Sequence, residues 1–379
     1  MISTEEFFEV LQATGIQFIT GVPDSILKPV GLHLATSEHN FSHLVAANEG
    51  AAIAHAIGHF LASKNPALVY MQNAGLGNAV NPLVSLTDKA VYQIPMVLLI
   101  GWRGEILADG KQLADEPQHL AQGAITCDLL RLLDIPYDII DGETDIQSCI
   151  DKQFKLCLER QGPVAILARK NSFTEVEISS SIKSKAPLQR EAALGAVLDS
   201  MAGDCAFIAT TGMLGRELYD YREVRQQGHG SDLLCVGGMG HAIAIATGIA
   251  RSDTSKKVVC LDGDGAVLMH MGSLVGGASC RNLIHVVFNN QAHDSVGGQP
   301  THADALDLCG LARSCGYAYT GSASTFEEIA SELKEMLSRG SEAAFLEIVI
   351  APGARTNLPR PADLPSEYSA QLQQWLQNV

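Results

Sequence analysis

The sequence predicts an α/β protein made of two doubly wound, Rossmann-like domains. Short apolar runs alternate with amphipathic or Ala-rich stretches, the rhythm of βαβ units around a parallel sheet buried on both faces. Many of the 35 glycines fall just after those runs, where such folds turn from a strand toward a ligand. The rhythm breaks once, over residues 171–189, in a stretch rich in Ser, Lys and Glu. A chain of 379 residues is long for one ordinary domain and comfortable for two.

The first series of strands reads QFITGV, SHLVAA, ALVYMQ, MVLLIG and VAILA, with helices over 48–63 and 144–160. The second reads CAFIATTG, LLCVGG, KVVCLDGD, LIHVVFNN and AAFLEIVI. Its helices are expected over 188–201, 240–251, 265–280, 303–314 and 325–338. The expected division is a domain over 1–172, a linker over 173–187 and a domain over 188–379. No short repeat or low-complexity segment interrupts either series.

Composition narrows the function classes. Hydrophobic residues make up 46% and charged residues only 18%, which describes a compact protein with a large core. A net charge of −16 argues against nucleic acid as a partner. MISTEEFFEV lacks the basic and apolar regions of a signal peptide, and runs such as PMVLLI are too short to span a membrane. The nine cysteines form no CxxC and sit largely in apolar runs, so they read as free thiols in a reducing cytoplasm.

The most specific signal is a pair of strand ends. KVVCLDGDG reads as a strand ending in Gly263-Asp264-Gly265, with a helix opening at Ala266. The next strand, LIHVVFNN, ends in Asn289-Asn290. A right-handed βαβ unit brings both ends to one edge of the sheet, where open α/β folds bind ligands. Two hard oxygen donors side by side suit Mg²⁺, which shares its shell with phosphate and water. The flanking glycines let backbone amides approach a diphosphate, and the helix adds its positive end.

GDG followed by NN, with 23 residues between Gly265 and Asn289, resembles the signature of the thiamine-diphosphate-dependent enzymes. The resemblance spans nearly the whole chain. It implies a pyrimidine-binding domain first and a diphosphate-binding domain last, with no middle domain. It implies metal ligands at Asp264, Asn290 and the carbonyl of Ala292. Cofactor contacts would come from Thr211 and Gly212, from Gly263, Gly265 and Ala266, and from Gly237, whose carbonyl would accept from the 4′-amino group. Met239 would prop the cofactor into its V shape. Glu49, in AANEGAA between a strand and an Ala-rich helix, would hydrogen-bond N1′ of the pyrimidine and favour the tautomer that takes the C2 proton. The two domain types meet across a subunit interface in this family, which implies at least a homodimer.

Within the family, GVPDSILKP, NAGLGNAVNPL, GWRGE and GGMGHA look most like the phosphonopyruvate decarboxylases, with the sulfopyruvate decarboxylases next. That implies a lyase of phosphonate biosynthesis, decarboxylating a small anionic 2-keto acid through a thiazolium ylide. Asp24 and Ser25, in the loop GVPDS, would orient substrate or relay a proton. The substrate anion needs cations, and Arg103, after PMVLLIGW, is the best placed. Lys111 and His293 are further candidates, and Gln299 and Thr301 belong to a loop that could close over the site. A different class, an NAD-dependent dehydrogenase, would read Gly238-Met239-Gly240 as the start of GxGxxG. Its third position is the bulky Ile243, and its ribose-binding acid would be Asp262.

Overall fold

The computed structural model describes residues 1–175, 188–201 and 205–377. Their contacts divide the chain into two units, Met1–Ser179 and Ser180–Val379. Most of the expected linker lies outside the described residues. Its first two positions belong to the first unit: Phe173 is buried in the core there, and the Thr174 hydroxyl donates to the carbonyl of Ile2.

The first unit contains β1 (Phe18–Gly21), β2 (Ser42–Val45), β3 (Ala67–Gln72), β4 (Met96–Gly101), β5 (Tyr137–Ile140) and β6 (Pro163–Ala168). They form one parallel sheet in the order β2-β1-β3-β4-β6-β5. The three strands inside this order with continuous apolar runs, β3, β4 and β6, are buried almost throughout, as a sheet covered on both faces requires. Chain direction along the sheet reverses between β1 and β3. Loops following these two strands therefore diverge to opposite faces and leave a crevice at their C-terminal ends.

The second unit repeats the plan. Its strands are β7 (Cys205–Ala209), β8 (Asp232–Leu234), β9 (Lys257–Gly263), β10 (Leu283–Asn289), β11 (Tyr319–Ala323) and β12 (Ala344–Val349). Their order is β11-β12-β10-β9-β7-β8, again all parallel, with the reversal between β7 and β9. No helix among the described residues is long and apolar enough to cross a membrane.

Both strands absent from the sequence reading, β5 and β11, are sheet edges. An edge strand buries less, so YDII and YTGSA carry mixed burial and no apolar run. The helices Thr4–Thr14, Lys28–Thr36, Pro117–Leu132, Met213–Val224 and Pro365–Gln377 were likewise not anticipated. The helix expected over 265–280 is two short ones, Asp264–Met269 and Ser273–Ala278. His270 leaves the helix between them to lie against His241, ring centroids 4.3 Å apart, over the bare Cα of Gly240. The stretch 303–314 also divides, into a 3₁₀ turn Ala303–Ala305 and a helix Leu308–Ser314 capped by Asp307.

Candidate functional site

At the C-terminal edge of the first sheet, four loops converge. Glu49 follows β2 as the first residue of the helix Glu49–Ser63, whose N-cap Asn48 accepts from Ala51 N–H at 2.9 Å. Glu49 is 6% exposed, and its carboxylate accepts from the Asn78 amide at 2.8 Å. It lies on Gly75, in the 3₁₀ turn Asn73–Gly75 that ends β3, and a Cβ there would fall 2.5 Å from Glu49 Cγ. Only glycine fits at position 75 beside this side chain.

Asp24 follows β1 and is 2% exposed. Its carboxylate accepts from Gln72 Nε2 at 2.7 Å and from the backbone of Ile26 and Leu27 at 3.0 Å each. Burial raises its pKa, while Gln72, the Leu27 and Ile26 amides and the Arg103 charge oppose that rise. The next residue, Ser25, accepts from Arg103 Nη1 at 3.0 Å. The structure thus brings Asp24, Ser25 and Arg103 together.

Arg103, however, is already paired. It grips Asp115 through Nε at 2.7 Å and Nη2 at 2.5 Å, with both side chains less than one-fifth exposed. Against the burial that raises it, the Arg103 bonds hold the Asp115 carboxyl down at about 2. Lys111 is not drawn in: its side chain is 81% exposed, and its ammonium pairs with Asp109 across a turn. Asn73 fixes the Arg103 backbone from both sides, accepting from its N–H and donating to its carbonyl.

The edge of the second sheet gathers the metal-type donors. Gly263 pairs with Phe288 in the β9–β10 register, so Asp264 and Asn290 leave adjacent strands together. Asp264 is 2% exposed and has no Lys or Arg partner among the described residues. It accepts from the Thr301 hydroxyl and from backbone amides of Asp264, Asn290 and Gly265. Burial outweighs these donors and lifts its carboxyl to about 6. Asn290 accepts from Ala292 N–H at 3.0 Å through Oδ1 and donates to Asp294 at 2.6 Å through Nδ2. Ala292 bridges Pro300, and His293 N–H donates to the Gln299 carbonyl at 2.8 Å, closing the loop 291–301 as a small hairpin.

His293 lies over Gly265, where a Cβ would stand 2.9 Å from its Cε1, and burial pushes its pKa down to about 4. A neutral imidazole at this point gives no cation for an anionic group. Gln299 is 2% exposed, and neither end of its amide has a hydrogen-bond partner among the described residues. Leaving such a buried group unsatisfied costs about 1–3 kcal/mol, so it is a group a ligand would relieve.

Beside β9, the end of β7 supplies Thr211, whose hydroxyl accepts from Gly237 N–H at 3.1 Å. Gly212 caps the helix Met213–Val224 at φ 105°, and Gly237, Gly238 and Gly240 all hold positive φ. Amides and small residues therefore line this edge next to Asp264. Met239 between them is half-buried. The dehydrogenase reading fails on geometry. Ile243 is buried where a third glycine should allow close packing, and Asp262 is fully buried facing His285 at 3.5 Å, out of reach of a ribose.

Several of these contacts had no signal in the sequence. Asp115 stands 12 residues from Arg103, in no repeating pattern that would pair them. Gln72, Asn73 and Asn78 had one usable signal, their place at or within six residues of the end of β3, where ligand-facing polar residues concentrate.

Comparison with known proteins agrees with this layout. Residues 2–125 match the thiamine pyrophosphate enzyme N-terminal TPP binding domain, and residues 210–348 the C-terminal TPP binding domain. A phosphonopyruvate decarboxylase of Streptomyces viridochromogenes is 33% identical, over 97% of this chain and 93% of that protein. Its counterpart in Streptomyces hygroscopicus is 31% identical over 99% and 94%. A sulfopyruvate decarboxylase of Methanosarcina acetivorans is 25% identical over 98% and 97%. Two parallel sheets with acidic residues at their strand ends, matched over more than nine-tenths of both chains by such relatives, identify the chain as a member of the thiamine pyrophosphate-dependent enzyme family, among its decarboxylases.

Proposed function

We propose that the enzyme decarboxylates 3-phosphonopyruvate to phosphonoacetaldehyde and CO₂, using thiamine diphosphate held through Mg²⁺. One observation carries the choice of substrate: identity of 33% over 97% of the chain to a phosphonopyruvate decarboxylase, against 25% to a full-length sulfopyruvate decarboxylase. The reading includes a cytoplasmic enzyme of phosphonate biosynthesis, at least dimeric, with active sites between subunits.

The residues present fit the cofactor. Asp264 is a buried carboxylate without a Lys or Arg partner among the described residues, raised to about 6, which is the group a dication would satisfy. Asn290 Oδ1 and the Ala292 carbonyl are the other ligands of this reading, all hard oxygens suited to Mg²⁺. Thr211, Gly212, Gly237, Gly263, Gly265 and Ala266 would take the diphosphate and aminopyrimidine, with Met239 as the apolar prop. When bound, thiamine diphosphate supplies the electron sink for the carbanion left by CO₂. Glu49 would hold a proton at the pyrimidine N1′, oriented by Asn78 and Gly75. Asp24 would hold the proton for product release, since burial favours its neutral form. The Ser25 hydroxyl, set by Arg103, would orient the substrate.

The substrate's second anion would be met by Arg103, with His293 offering a neutral ring N–H rather than a charge and Lys111 held out at the surface by Asp109. Three bonds to Asp115 and Ser25 use only part of the guanidinium's N–H donors. A sulfopyruvate decarboxylase is the second reading, favoured by the full-length match to one. Relative kcat/KM for the two keto acids separates them. A clear preference for phosphonopyruvate supports the first, and turnover of sulfopyruvate alone would sink it.

A further inference from the structure

We propose that Asp294 is a positioning residue for the metal, selecting which end of the Asn290 amide faces the cation. The proposal rests on the assignment of Asn290 as a metal ligand. An asparagine amide is nearly symmetric in shape, yet only its oxygen can bind a cation. Something must therefore discriminate the two flips. Asp294 does so, because a carboxylate only accepts. Its Oδ2 takes the Asn290 Nδ2–H at 2.6 Å, and the opposite flip would set Oδ1 against a negative oxygen. The Ala292 N–H, donating to Oδ1 at 3.0 Å, reinforces the same choice.

Asp294 is itself held. The same Oδ2 accepts from Arg190 Nη1 at 3.0 Å and from Gly353 N–H at 2.9 Å. Arg190 in turn is gripped by Glu217, through Nε at 2.8 Å and Nη2 at 3.1 Å. Arg190 and Glu217 are 7% and 2% exposed. One guanidinium, fixed from the helix Met213–Val224, thus locks the carboxylate that orients Asn290. Groups behind metal ligands commonly set ligand orientation in this way, and their loss weakens metal affinity about 10–100-fold. The arrangement also places a net negative charge behind the metal position, counting one Arg against Glu217 and Asp294.

The test is calorimetric titration of Mg²⁺ into full-length protein at fixed thiamine diphosphate, with the unfolding midpoint of cofactor-free protein measured for every variant. Asp294→Leu removes the acceptor at similar volume and leaves only the Ala292 N–H to oppose the flip that turns the Asn290 NH₂ toward the metal. We expect the Kd for Mg²⁺ to rise about 10–100-fold. In the double variant Asn290→Asp with Asp294→Leu both ends of the side chain at 290 are oxygens, so its orientation no longer matters, and the Kd should return to within about fivefold of wild type. A purely structural role would give no such rescue. A Kd for Asp294→Leu within twofold of wild type, or a double variant no better than Asp294→Leu, overturns the proposal. Wild type that takes up no cofactor with Mg²⁺ instead contradicts the metal site itself, and the proposal with it.

Discussion

The carboxylate of Glu49 rests against the Cα of Gly75, where a single methyl group would fall 2.5 Å from Glu49 Cγ. Gly75→Ala should therefore displace the carboxylate while leaving the sheet intact. A shift of about 1 Å at a catalytic group can cost about 100-fold in rate. We expect kcat to fall at least about tenfold, with cofactor affinity nearly unchanged. Glu49→Gln keeps the shape and should cut kcat by about 10²–10⁴-fold, again with cofactor still bound. Unchanged turnover in Glu49→Gln would remove it from the mechanism.

Asp264 gives a prediction of two signs. Its folded pKa of about 6 lies above its unfolded value, so the carboxylate opposes folding at neutral pH. That penalty is largest above pH 6 and is relieved as pH falls toward the unfolded pKa of about 4. Cofactor-free Asp264→Asn should melt at or above the wild-type temperature at pH 7.5 and lose this pH dependence. It should also lose the rise in melting temperature that thiamine diphosphate and Mg²⁺ give the wild type. A variant that is less stable without cofactor, yet still stabilised by it, would contradict both halves.

Gln299 is buried, and neither end of its amide is paired among the described residues. Gln299→Met removes that cost at similar volume and should stabilise the cofactor-free protein by about 1–2 kcal/mol in urea unfolding. If the amide meets a ligand in the working enzyme, KM or cofactor Kd should rise in the same variant. A destabilised variant with normal kinetics would show the amide to be satisfied within the fold.

The Arg103–Asp115 pair predicts an acid sensitivity. The folded Asp115 pKa of about 2 lies below its unfolded value, so its contribution is complete above about pH 4 and fades as pH falls toward 2. Asp115→Asn should lower stability at pH 7 by about 1–3 kcal/mol, since a bond to a charged group is lost from a mostly buried guanidinium. The gap between variant and wild type should narrow as pH falls from 4 to 3. A constant gap across that range would assign the loss to packing rather than charge.

These particulars show what was readable before the structure. The strands β9 and β10 announced themselves because full burial demands unbroken apolar runs, and the glycines after β9 marked the turn beside Asp264. Edge strands β5 and β11 gave no such run, being half in water. The residues of the site were legible one at a time, through their place after a strand. Their partnerships were not. Arg103 looked like an available cation because nothing in the sequence pairs it with Asp115, and Asp294 gave no signal because two of its three donors, Arg190 and Gly353, come from distant segments.

The central claim is that this chain is a thiamine-diphosphate-dependent 2-keto acid decarboxylase acting on phosphonopyruvate. It is tested most directly by measuring CO₂ and aldehyde released from 3-phosphonopyruvate by protein stripped of cofactor and then reconstituted. The account predicts equimolar CO₂ and phosphonoacetaldehyde only when thiamine diphosphate and Mg²⁺ are both present, and none from reconstituted Glu49→Gln above a trace. Release that is independent of the cofactor, or no release from the fully reconstituted wild type, would contradict it.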